Sequence, residues 1–81
     1  MLKGIIYTKT PLQELYDLLK QEFDIDDNYI VLNVSKKRIE IALWILEKIA
    51  PKLKKRGFDC YMVEEYPTAD GLEVERTPLP L

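Results

Sequence analysis

The 81 residues hold 12 Lys or Arg, 14 Asp or Glu and no histidine, for a formal net charge of −2. That length allows one hydrophobic core and no second domain, and a monomer of this size buries little enough surface that self-association would stabilise it. The 47% hydrophobic and 32% charged composition is globular. It holds no apolar run near the roughly 18 residues of a bilayer span, and the start shows no signal-peptide pattern, so a soluble, cytoplasmic protein is expected.

A single cysteine, Cys60, excludes an intramolecular disulfide, and without histidine the usual soft-metal ligand sets are missing. No metal or cofactor is therefore expected. Abundant Lys and Glu with few amides suit a thermophile.

In chain order, residues 2–8 read as a strand around Ile5, Ile6 and Tyr7. Thr10, Pro11 and Gln13 then supply a helix start, with Thr10 as cap and Gln13 completing a capping box. Leu12, Leu15, Leu19 and Phe23 recur at steps of three and four, which predicts a helix ending near Phe23. Residues 24–28 have the Asp and Asn content of a turn. Residues 29–34 are apolar at nearly every position, the pattern of a central strand.

Ser35 is then read as the cap of a second helix over residues 36–56, with Gly57 ending it in a left-handed conformation and Pro51 producing a kink or a break near Ala50. Ile39, Ala42, Leu43, Leu46, Ile49, Ala50 and Leu53 form one stripe on that helix. Ile41, Trp44 and Ile45 fall outside the stripe, so either the first helix covers them or a second chain does, which makes these three the candidate dimer interface. Residues 58–66 and 72–76 read as two further strands joined by a turn-rich connector at 67–71, and the alternating prolines of residues 78–81 read as an extended tail. The predicted fold is α/β: one domain over residues 1–77, a two-layer βαβαββ sandwich with a four-stranded mixed sheet and two helices.

Charge is segregated. Residues 1–35 carry a net −3, residues 36–56 carry +6 and residues 57–81 carry −5. Lys36, Lys37 and Arg38 stand where they would oppose the dipole of the predicted helix, and Lys9 lies in a loop at the same end of the sheet. Exposed N–H groups with several cations suit phosphate, so Lys9, Lys36, Lys37 and Arg38 are the candidate nucleic-acid-binding residues; an ordinary solvated helix start is the alternative. No catalytic or metal motif is found. Asp24, Asp26 and Asp27 lack the spacing of a calcium loop, Glu64, Glu65, Glu73 and Glu75 read as outward charges guarding a hairpin edge, and Cys60 reads as a small core residue.

The predicted order, the Lys9-Thr10-Pro11 turn opening the first helix, and the strand that runs through a basic turn into an Ile-rich helix together resemble Alba-type archaeal chromatin proteins over about residues 4–66. The resemblance implies a homodimer joined partly through the second helix, binding the DNA or RNA backbone with its two basic loops and its hairpin arms. Thr10 stands where the family usually has a second lysine, and the acidic hairpin would be repelled by phosphate. The expectation is thus a non-enzymatic, nucleic-acid-binding homodimer without small-molecule substrate. The other reading is a protein-interaction or assembly module that binds no nucleic acid.

Overall fold

A computed structural model describes residues 1–66 and 73–81. The elements are β1 (Leu2–Tyr7), α1 (Leu12–Gln21), a 3-10 turn (Asp27–Tyr29), β2 (Ile30–Asn33), β3 (Arg38–Ile41), α2 (Leu43–Lys55), β4 (Asp59–Glu65) and β5 (Glu73–Leu79). They form one five-stranded sheet in the order β2-β3-β1-β4-β5, with every neighbouring pair antiparallel. The predicted four-stranded mixed sheet is therefore corrected. The segment read as the first third of a long helix is instead a turn and a strand, and β2 is an edge strand, not a central one.

The cause is local. The side chain of Asn33 accepts from the Lys36 N–H (3.1 Å), the Lys37 N–H donates to Val34 O (3.2 Å), and Lys37 takes a left-handed φ of 56°. That closes a tight turn over residues 34–37. Beyond it Arg38-Ile39-Glu40-Ile41 alternates polar and β-branched residues with a period of two, which a strand can place on two faces and a helix cannot. Helix α2 starts only at Leu43, and Ser35 caps nothing. Its C-terminus is as predicted: Gly57 has a φ of 89° and its N–H closes on Lys54 O. The helix runs through Pro51 without the predicted break.

In α1, Pro11 and not Thr10 occupies the cap position, and no side chain caps the helix. The predicted 67–71 connector lies outside the described residues. At the other end of that hairpin, β5 continues through Pro78 to Leu79, whose buried side chain joins the core. An edge strand tolerates Pro78 because its missing donor faces no partner.

Both helices cover one face of the sheet. Ile6, Ile39, Ile41, Ile30, Cys60 and Leu79 meet Leu15 and Leu19 of α1 and Leu46, Ala50 and Leu53 of α2 in one buried cluster. Gly4 permits this approach: a Cβ there would lie 2.8 Å from Ile41 O and 3.0 Å from a methyl of Leu46. By alternation, Lys3, Ile5, Tyr7, Val31, Asn33, Arg38, Glu40, Tyr61, Val63 and Glu65 project from the other face, which neither α1 nor α2 covers.

Candidate docking surface

On the helix-free face a charged cluster stands where the sequence suggested loops and guards. The Arg38 guanidinium forks onto Glu65 (2.7 and 3.0 Å) and onto Glu40 (2.9 and 3.1 Å), with Lys3 within 3.3 Å of Glu65 and Asn33 donating to Glu40 (2.9 Å). Arg38 is 3% exposed and Glu65 1%. The hydrogen bonds from Arg38 hold the Glu65 carboxyl below its ordinary range. Burial acts to raise Glu40, but the bonds from Asn33 and Arg38 outweigh it and the net shift is downward. Burial likewise opposes the charge on Arg38, and Glu65, Tyr7 and Glu40 more than restore it. Every buried polar side-chain atom among the described residues is bonded. Such a cluster fixes the sheet; carboxylates held ionised are poor general acids.

Alongside it, Arg76 lies over the rings of Tyr7 (4.5 Å) and Tyr61 (4.8 Å) and bonds Glu73 at 2.7 and 3.1 Å. Neither network was anticipated from the sequence. The alternation of Arg38 with Glu40, and of Tyr61, Val63 and Glu65, is the signal that would have placed them on one face.

The candidate phosphate-binding residues separate. Arg38 is enclosed by carboxylates and faces away from any ligand in solvent. Lys9 and Lys37 are exposed, and Lys36 is half-buried with partners of its own. Lys37 does approach the loop after β1: a cleft of about 480 Å³ at the start of α1 is lined by Thr8, Thr10, Pro11, Leu12, Gln13, Leu32, Val34 and Lys37. The two basic loops are neighbours, as expected.

The candidate interface residues separate as well. Ile41 and Ile45 are buried in the core, because β3 turns Ile41 and the first turn of α2 turns Ile45 towards the helix–sheet layer. Trp44 alone stays in solvent, 55% exposed. Its ring packs edge-on against Tyr29 at 5.6 Å, with Lys48 over it at 5.3 Å. Tyr29, Val31 and Leu2, each 46–57% exposed, continue this apolar surface around a shallow groove of about 300 Å³ whose walls include Ile41, Ala42 and Leu43. Val34, 69% exposed, extends it along β2. Five of the exposed large apolar side chains, Leu2, Tyr29, Val31, Val34 and Trp44, thus belong to β2, the segments flanking it and the neighbouring ends of β1 and α2.

Cys60 lies in the core, where burial pushes its thiol up to about 11, and it is no nucleophile at neutral pH. Among the described residues no group of three or more Cys, Asp or Glu side chains could hold a metal ion, and no helix is long and apolar enough to cross a membrane.

Comparison with known proteins then places the chain. The family described as Domain of unknown function (DUF8061) matches residues 1–79. The chain belongs to that family. It is also 38% identical, over 88 aligned positions, to MJ0021 of Methanocaldococcus jannaschii, a protein provisionally named a glycyl-radical enzyme activating enzyme. The match takes in 98% of this chain but only 21% of that relative, so the chain spans about a fifth of the relative's length. No solved structure matches the chain.

Proposed function

We propose that this DUF8061 domain is a non-catalytic assembly module that works in the cytoplasm with, or as part of, a radical-enzyme activating protein. The observation that carries this reading is the exposed apolar surface formed by Leu2, Tyr29, Val31 and Trp44 beside the β2 edge. Burying such side chains contributes roughly 1.5–3 kcal/mol each, and a contiguous patch of this kind marks an interaction surface. The relative supports the choice of partner, since there a homologous stretch makes up a fifth of a longer chain whose name assigns it to radical activation. The chemistry of the domain supports a binding role: its one thiol is buried, and the carboxylates of its most enclosed cluster are held ionised.

Size-exclusion chromatography with light scattering, on the chain mixed with the activating protein from the same genome, tests this. A complex should form with the wild type and be lost with Trp44→Glu. Separate elution of the two proteins at tens of micromolar would sink the reading.

A second reading has its own observation, the exposed Lys37 on the wall of the cleft at the start of α1, which Thr8 and Thr10, the chain neighbours of the exposed Lys9, also line. In it the domain binds the DNA or RNA backbone as a homodimer through Lys9, Lys36 and Lys37, contacting phosphate without reading bases. Mobility shifts should then weaken steeply with salt and vanish in a triple alanine variant at 9, 36 and 37. Absent or salt-independent binding counts against it.

A further inference from the structure

We infer that the outer edge of β2 pairs antiparallel with the β2 of a second copy of this chain across a two-fold axis at Leu32. The inference goes beyond the assembly reading above and concerns the β2 edge, leaving the Trp44 surface to the other partner.

The Tyr29 carbonyl accepts from the Ala42 N–H (3.0 Å), and Ile30 stands opposite Ile41, Val31 opposite Glu40 and Asn33 opposite Arg38. Antiparallel ladders alternate bonded and non-bonded pairs, so Val31 and Asn33 bond β3 while Ile30, Leu32 and Val34 turn their backbone groups outward. Two of these outward groups are already used. The Ile30 N–H donates to Asp27 O, closing the 3-10 turn, and the Val34 carbonyl accepts from the Lys37 N–H.

What remains is the Ile30 carbonyl, both groups of Leu32, and the Val34 N–H. This set is self-complementary. With the axis at Leu32, each Leu32 exchanges two bonds with its counterpart, and each Val34 N–H reaches the opposite Ile30 carbonyl. Four intermolecular bonds use every free group and no occupied one.

Side chains and charges agree with that register. Val31 and Val34 would leave solvent together with their neighbours across the axis. The acidic approach to β2, with Asp24, Asp26 and Asp27 all exposed, would lie beside the Lys36-Lys37 turn of the other copy. This charge complementarity arises only if the two strands run antiparallel, since a parallel pairing sets acid beside acid.

The two edges of the sheet also differ. Edge strands are normally blunted by charge, proline or a bulge. β5 has Pro78, Arg76 and an irregular register at Glu64 and Glu65. β2 reads Ile-Val-Leu-Asn, a short strand that itself carries no charge and no proline. A shared edge needs no guard, and the pairing would join two sheets into one of ten strands.

Sedimentation velocity on the full chain between about 1 and 200 μM tests this, with Val34→Pro as the principal variant. That change deletes a donor that has no backbone partner among the described residues, so the monomer should keep its circular dichroism while the dimer dissociation constant rises at least tenfold. Val31→Lys, which places a gatekeeper charge on the same edge, serves if Val34→Pro fails to fold, and should weaken the dimer similarly. A chain that stays monomeric throughout overturns the inference. So does a dimer whose constant neither variant changes. In both cases binding of the activating protein at Trp44 stands or falls on its own titration.

Discussion

Arg38 shows how far one residue's role depends on the element that carries it. At the start of a helix it would be a solvated cation beside Lys36 and Lys37; on β3 it is a buried fork between Glu65 and Glu40. Burying such a cluster is costly, and removing one partner strands the rest, so Glu65→Gln should destabilise the domain by about 3 kcal/mol. The pH dependence follows from the depressed carboxyls. Their stabilisation is present above the ordinary carboxylate value of 4.5 and is lost as pH falls through that value and below it, towards the lowered folded-state pKa of Glu65 and Glu40. Thermal melts from pH 7 to pH 2 should therefore show a steeper acid loss for the wild type than for Glu65→Gln. Parallel curves would mean that Glu65 does not carry this linkage.

At the scale of elements, the chain announced most of its parts and misplaced one boundary. The strand around Ile5 and Ile6, the amphipathic α1, the Gly57 stop and the β4 run were legible, because periodicity and end signals agreed there. Residues 34–41 were not, because Ser35 followed by a basic run imitates a helix start. The competing signals were Asn33, whose side chain organises the turn, and the two-residue period of Arg38 to Ile41. Reading that segment as helix merged β3 into α2 and so changed the strand count, the sheet direction and the placement of Arg38, Ile41 and Ile45 together. Lys37, Lys9 and Trp44 are exposed, since loop ends and the outer side of α2 face solvent under either topology.

Pro51 belongs to this scale as well. It is exposed inside α2, has no N–H to offer Glu47, and the helix is nevertheless continuous. An interior helical proline costs up to about 3 kcal/mol relative to alanine. Pro51→Ala should stabilise the domain by about 1–3 kcal/mol, read as a higher melting temperature with unchanged assembly. A lower melting temperature would show that the ring itself makes a contact the helix needs.

For the whole molecule, the distribution of surfaces gives the account its shape. Helices cover one face of the sheet, a satisfied charge network occupies the other, and β5 is guarded by Pro78 and Arg76. The β2 edge is left with exposed Val31 and Val34, an aromatic pair at Tyr29 and Trp44, and opposite charges at its two ends. A small domain gains most from association where its monomer is least finished. The family match takes in residues 1–79, and in the relative the matching stretch is a fifth of the chain.

Amide hydrogen exchange at Leu32 and Val34, measured from dilute to concentrated protein, tests that centre most directly. Both amides should exchange freely in the dilute chain and slow at least tenfold as it assembles, while exchange along β5, at the opposite edge of the sheet, stays unchanged. Amides at Leu32 and Val34 that exchange equally fast at every concentration would contradict the account.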